Sequence, residues 1–340
     1  MITQVSIKNF KCLREVTVNL ERITVFVGAN GSGKTSFLQA LDLLCRTFRK
    51  QPGQLEGEYH QNRSFGATAE VELSCLAGDT HFRFRTNHNP SPQGLIQNGR
   101  PRLESGAAIA KQEQTLDWKP WPQHFSTLPN PVWLRLDPNV LRNARPGENI
   151  REMGDTGQGM HRALSSMMLE RRNDFFKLEA DLTRIVPSIR QLQPTAEHEI
   201  RFDTINGKGL TAHQVSEGTL LTLGLLTAIH GVNKPGILLL DDLDRALHPM
   251  AQRELIDLLR GVQTTNPEIQ IAATTHSPYM LDSMKPSEVL VTSLREDGST
   301  ACEPITHHPK FEKWKDEFHP GEMWSFFGEQ WVAGAEVAAK

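Results

Sequence analysis

Residues 28 to 35, Gly-Ala-Asn-Gly-Ser-Gly-Lys-Thr, satisfy the pattern G-x-x-x-x-G-K-[ST] in full. Glycines at these intervals let successive backbone N–H groups turn inward around phosphate oxygens, and a helix that follows adds partial positive charge. Asn30, Gly31, Ser32, Gly33, Lys34, Thr35 and Ser36 are therefore the expected nucleotide-binding residues. Lys34 is placed to reach the β- and γ-phosphates of ATP, and the Thr35 hydroxyl to ligate Mg2+. A second group with chemistry is Asp241-Asp242, which ends the apolar run Ile237-Leu238-Leu239-Leu240. Asp241 is expected in the Mg2+ shell, with Asp242 orienting or deprotonating the attacking water. His276 follows a further apolar run, where an imidazole can hydrogen-bond a γ-phosphate oxygen. Ser216-Glu217-Gly218 opens an apolar segment, and on spacing alone a helix N-cap is the better explanation of Ser216.

These residues need elements to hold them. Residues 23–27 (ITVFV) read as a strand buried on both faces, followed by the Gly-rich turn and by Phe37, Leu38, Leu41 and Leu44 at helical spacing. Strand, phosphate-sized loop and helix is the context the motif requires. Upstream, the alternation of Ile2, Val5, Ile7 and Phe10 and then Val16, Val18 and Leu20 predicts two antiparallel strands. Within 51–136, alternating runs at Val71–Cys75 and Phe82–Phe84, with turns at Gly78-Asp79, Asn89-Pro90 and Asn98-Gly99, predict an inserted antiparallel β-region. It ends in a Pro- and Trp-rich loop (118–131) and a short strand at 132–136. A polar loop at 142–159 precedes helical spacing over 161–189, which Pro187 ends. Further expectations are strands at 200–205, 237–240 and 269–274 and helices at 217–230 and 252–260. The expected division is a discontinuous nucleotide-binding lobe (1–50 plus 200–300), the insertion (51–136), a helical lobe (137–199) associated with segment 214–219, and an aromatic-rich tail (301–340).

The chain has 340 residues, 38% hydrophobic and 23% charged, with a formal net charge of −3. That balance fits a folded globular protein and excludes disorder, a disulfide scaffold and a uniformly basic nucleic-acid coat. Cys12, Cys45, Cys75 and Cys302 show no C-x-x-C pairing, as expected of reduced thiols in the cytoplasm. No signal peptide and no run long enough to span a bilayer is visible, so no membrane association is expected. Arg142, Arg145, Arg151 and Arg171-Arg172 offer cations to DNA, but interspersed acids favour a solvated face. His307-His308 lacks metal-ligand spacing. Trp314, Trp324, Trp331 and Phe326-Phe327 fit core packing and a partner-binding patch equally well.

The order of phosphate loop, Ser-x-Gly helix start, apolar strand with acids and strand with His resembles the ABC-type ATPase heads of the SMC, RecF and OLD families. The resemblance covers about 1–48 and 205–295, with a looser match at 161–190. It implies an α/β P-loop NTPase fold with a mixed sheet and a helical lobe. It also implies that Ser216-Glu217-Gly218 is the signature segment, binding the γ-phosphate held by a second copy of the chain. Ile7-Lys8-Asn9-Phe10-Lys11 is similar to the family's N-terminal strand and turn beside the nucleotide, which adds Lys11 to the binding residues. Residues 243–249 (LDRALHP) are similar to the D-loop of the OLD-like branch. Two departures stand out: Asp242 replaces the family's usual catalytic glutamate, and Gln158 is the nearest counterpart of the Q-loop glutamine. The stretch after Val291 is too short for the nuclease domain of OLD enzymes, so the ATPase is expected to stand alone. By analogy it is expected to serve prokaryotic anti-phage defence and to control a separately encoded effector such as a nuclease. The alternatives are a RecF-like DNA-binding repair ATPase and a non-hydrolysing, nucleotide-gated structural protein.

Overall fold

The computed structural model describes residues 1–49, 70–90, 96–98, 102–107, 119–120, 128–143, 153–231 and 236–334. Its strands are β1 (Ile2–Phe10), β2 (Leu13–Asn19), β3 (Ile23–Gly28), β4 (Glu70–Ala77), β5 (Thr80–Pro90), β6 (Ile96–Asn98), β7 (Arg102–Ala107), β8 (Lys119–Pro120), β9 (Asn130–Leu134), β10 (Ile189–Pro194), β11 (Ile200–Thr204), β12 (Gly236–Leu240), β13 (Gln270–Thr274), β14 (Val289–Leu294) and β15 (Thr300–Pro304). The helices are α1 (Lys34–Arg49), α2 (Pro138–Arg142), α3 (Met160–Glu170), α4 (Arg172–Ile185), α5 (Glu217–Gly231), α6 (Pro249–Thr265), α7 (Pro278–Leu281), α8 (Phe311–Trp314) and α9 (Pro320–Phe327). The chain folds as two compact units, one of residues 1–131, 236–239 and 268–340 and the other of 132–235 and 240–267. This boundary runs inside β9 and β12.

The first unit contains two sheets with α1 between them. In one sheet β3 is flanked by β13 and β14, both parallel to it, and β15 adds an antiparallel edge against β14. All six residues of β3 are buried, as the continuous apolar run requires. The other sheet is antiparallel in the order β2-β1-β4-β5-β7-β8, with β6 on β5. Strands β4, β5 and β7 thus extend the sheet begun by the N-terminal strands, because β4 pairs with β1 along most of its length. Helix α1 serves both sheets: Phe37 stacks on Phe26 of β3 at 4.8 Å, and Phe48 meets Phe82 of β5 edge-on at 5.2 Å. The buried Gln270 amide ties β13 to β1 by accepting from Ile2 N at 2.9 Å and donating to Ile2 O at 2.7 Å.

The C-terminal stretch, aperiodic in sequence, packs mainly on its own unit. Met323, Val332 and Ile305 are buried, and Gly321 lies so close to Pro278 O that a Cβ there would sit 2.0 Å away. His308 stacks on Phe327 at 4.4 Å and accepts from Lys310 N, the behaviour of a core histidine. Phe326, by contrast, is 70% exposed.

The second unit is built on α5, which is apolar on every side and buried from Thr219 to Ile229. Within 161–189, where sequence spacing predicts helix, the structure has the pair α3 and α4, which meet at Arg171, whose φ of −136° is not helical. The antiparallel hairpin β10–β11 follows. His161 joins α3 to its surroundings, with Nε2 donating to Leu141 O at 2.9 Å and Nδ1 accepting from Ile200 N at 3.0 Å.

Candidate active site

The phosphate loop leaves β3 and opens α1, as its sequence context predicts. Gly28, Gly31 and Gly33 have φ of +150°, +78° and +100°, conformations that side-chain-bearing residues rarely adopt. Close approach adds a second reason for two of them. A Cβ on Gly28 would lie 2.1 Å from Thr292 O, and one on Gly33 would lie 2.4 Å from Thr300 Oγ1. The hairpin β14–β15 therefore braces the loop from behind, and Ser32 Oγ shares a 2.6 Å hydrogen bond with Thr292 Oγ1. Lys34 is 6% exposed and folds over the loop, its Nζ donating to Gly28 O at 3.0 Å and Ala29 O at 2.9 Å. Asn30, Gly31 and Thr35 are exposed on the loop rim, and Ser36 is half-buried.

Two other expected residues belong to this unit. Lys11 sits in the β1–β2 turn at φ +54°, and its ammonium donates to Gln39 of α1. Burial pulls its pKa down from 10.5. The adjacent Cys12 touches the loop, its Sγ 3.6 Å from Ser36 Oγ. His276 follows β13, whose neighbour Thr275 donates its N–H to Phe26 O of β3 at 3.1 Å. The imidazole is half-buried at the same strand ends from which the phosphate loop springs.

The second unit carries Asp241, Asp242 and the segment 216–218. Asp241 N donates to Leu134 O at 3.5 Å, and the exposed Asp242 is in the left-handed region at φ +51°. Beside both acids lies a cavity of about 210 Å3, floored by leucines of β9, α5 and the segment after β12, with Arg135 and Arg245 among its polar lining. Ser216 is an N-cap in fact: its Oγ accepts from Thr219 N at 3.2 Å and shares a 2.8 Å hydrogen bond with Thr219 Oγ1. Ser216 and Glu217 are nevertheless exposed. Gly218 lies against the segment that follows Asp242, where a Cβ would sit 2.4 Å from Ala246 O. The structure thus brings segment 216–218 together with the loop after Asp242, a proximity that no local sequence signal discloses. Glu217 also meets Arg142, at 3.3 Å. Gln158 turns inward on its own loop, its Oε1 accepting from Thr156 N. Arg145 and Arg151 lie outside the described residues, as do the turn at Gly99 and most of the loop at 118–131.

The chemistry of the phosphate-loop residues suits a polyphosphate with Mg2+. Backbone donors and a lysine gather at a helix start, and among the described residues no cluster of three His, Cys, Asp or Glu forms a self-sufficient metal site. Mg2+ bound through substrate phosphates needs only one or two protein ligands. No described helix is long and apolar enough to cross a membrane.

Residues 23–282 match the family described as "AAA domain, putative AbiEii toxin, Type IV TA system". The chain belongs to this AAA-domain family. Within the wider set of ABC-type ATPase heads, this AAA-domain protein falls in the SMC/RecF/OLD group. It is 24% identical to an OLD nuclease of Thermus scotoductus, over 91% of this chain and 67% of that one. With the Septu protein PtuA of Bacillus mycoides it shares 23% identity, over 87% of this chain but 41% of the relative. With the DNA replication and repair protein RecF of Acinetobacter baumannii the identity is 23%, over 76% and 88%. An SMC head crystallised with the C-winged helix domain of ScpA superposes with a TM-score of 0.55 at 17% identity, covering 89% of this chain and 96% of that one. The AAA-domain chain therefore spans about two thirds of the OLD relative and two fifths of PtuA.

Proposed function

We propose that this AAA-domain protein hydrolyses ATP in a Mg2+-dependent reaction, at sites that a second copy of the chain completes. The observation that carries the reading is the phosphate loop, with three glycines at positive φ, two of them held by β14–β15, and Lys34 poised over the loop. Asn30 to Ser36 bind the phosphates, with Lys34 neutralising the β- and γ-groups and Lys11 beside the nucleotide. Thr35 and Asp241 hold Mg2+, which neutralises charge on the phosphate oxygens. Asp242 aligns a water on the γ-phosphorus and accepts its proton as the bond to the ADP oxygen breaks. His276 donates to a γ-phosphate oxygen. Ser216, Glu217 and Gly218 meet the γ-phosphate bound by the second copy, so ATP joins two chains and its hydrolysis loosens them. Asp242 is one methylene shorter than glutamate, which makes the turnover slow and the clamp a timer.

OLD and Septu relatives support a place in anti-phage defence, in which the ATPase restrains or scaffolds a separately encoded effector such as a nuclease. A DNA-binding repair role is the second reading, favoured by the RecF relative that the chain matches over 88% of its length. DNA-stimulated turnover that falls steeply with salt would select it. Hydrolysis is tested by ATP turnover of the purified chain, which Lys34→Ala should abolish, and the clamp by Asn30→Cys on one chain and His213→Cys on another, in an Asp242→Asn background. Crosslinking should depend on ATP and vanish with Lys34→Ala. Equal crosslinking with ATP, ADP and no nucleotide refutes the ATP-gated clamp.

A further inference from the structure

We infer that Arg142 is a positioning residue for segment 216–218: it draws the Glu217 carboxylate aside and cancels its charge, so that the start of α5 can accept a phosphate. This inference rests on the ATP-joined dimer proposed above.

The first turn of α5 has donors to offer an anion. Ser216 Oγ satisfies Thr219 N, and Leu220 N bonds Ser216 O, but the amides of Glu217 and Gly218 have no hydrogen-bond partner among the described residues. Free N–H groups at a long helix's start favour negative charge. Glu217 complicates this, because its own carboxylate occupies the same turn and repels an incoming phosphate. In the structure that carboxylate is drawn sideways to Arg142 Nη2, at 3.3 Å.

Arg142 is held so that it can do this. Its Nη1 donates to Asn139 Oδ1 at 3.2 Å, one helical turn back. Asp137 caps α2 by accepting from Asn139 N at 2.8 Å, and the preceding residue, Leu141, is fully buried and bonded through its carbonyl to His161. Its side chain is 22% exposed against 54% for Glu217, so the cation is the better anchored partner. An ion pair with so exposed a carboxylate contributes little to stability. Its larger consequence is local potential: without Arg142, one uncompensated negative charge stands in the turn that receives the phosphate, at a separation taken as about 6 Å. At an effective dielectric of about 40, that weakens anion binding roughly tenfold.

The test measures the ATP concentration that half-saturates self-association of the full chain in the Asp242→Asn background. ATP binding at a dilution where the chain is monomeric serves as the reference. Arg142→Ala should raise the half-saturating concentration about tenfold, and Arg142→Lys should raise it less. Arg142→Ala with Glu217→Gln should return it to within about twofold of the parent, because the charge needing compensation is gone. A merely structural arginine would not be rescued by neutralising Glu217. If Arg142→Ala matches the parent, or the double variant stays as weak as the single one, the inference is overturned while the ATP-joined dimer stands. A parent that binds ATP without self-associating overturns the dimer, and this inference falls with it.

Discussion

Alanine at position 218 would ordinarily strengthen α5, since replacing a helical glycine gains up to about 1 kcal/mol of propensity. Here the added methyl meets Ala246 O at 2.4 Å and Ala246 C at 3.4 Å. Ordinary contact requires the two backbones to separate by about 1 Å, a degree of overpacking that costs about 1–3 kcal/mol. The opposing segment has little freedom to yield. Arg245 N bonds Asp242 O, Leu247 N bonds Asp244 O, and Asp242 and Ala246 already occupy the left-handed region. The net effect expected of Gly218→Ala is a loss of up to about 2 kcal/mol, concentrated at the start of α5. Hydrogen exchange reads this directly, because amides in the first turns of α5 should exchange about tenfold faster for each 1.4 kcal/mol lost. ATP turnover should fall in parallel as Ser216 is pushed from its position. A variant whose α5 exchanges more slowly than the parent, with turnover intact, would show that propensity wins and that the close approach is unimportant.

If Asp242 aligns the water, Asp242→Asn retains ATP and stops turnover, whereas Asp242→Glu accelerates it; unchanged hydrolysis in Asp242→Asn assigns that task to another group. Thr300 Oγ1 is buried beside Gly33 without a hydrogen-bond partner among the described residues. Thr300→Val should therefore be neutral or stabilising by about 1 kcal/mol in thermal melts, and a loss above about 2 kcal/mol would reveal a partner for the hydroxyl. Burial holds the pKa of His161 below its ordinary 6.5, and its neutral ring serves one carbonyl and one amide. Its contribution is thus complete above about pH 6.5 and lost as pH falls through the depressed value. His161→Gln should be less stable by about 1–3 kcal/mol at pH 7.5, with a flatter decline toward pH 5; equal slopes for the two proteins would exclude this histidine as a source of acid sensitivity.

Much of this architecture is written locally. The phosphate loop announces itself because glycine spacing, a buried strand and a helical repeat are all contiguous in sequence. α5 is legible as an unbroken apolar helix. What local pattern cannot carry is the identity of distant neighbours. Alternation at Val71–Cys75 implies a strand but not that its partner is β1, and nothing near Gly33 names Thr300 as the group that forbids a side chain. Helical spacing over 161–189 likewise does not mark Arg171 as the place where α3 gives way to α4. Segment 216–218 is legible as a cap and, through resemblance, as a signature, whereas the Ala246 carbonyl behind Gly218 depends on a turn with two left-handed residues.

The bracing of the phosphate loop by β14 has a bearing on how the chain is made. Ser32 and Thr292 are 260 residues apart, and both strands that pair with β3 lie in the last third of the sequence. At about 5–20 residues per second, a ribosome needs on the order of 13 to 50 seconds to deliver Thr292 after Ser32 emerges. Until β13 is made near the end of that interval the run Ile-Thr-Val-Phe-Val has neither of its β-partners, and until β14 follows it has only one, leaving an incompletely paired strand rich in β-branched and aromatic residues. The most distinctive motif in the chain is consequently among the last to be finished. Nascent chains released before residue 292 should be captured by chaperones or aggregate, and should fail to bind nucleotide even though every residue of the loop is present.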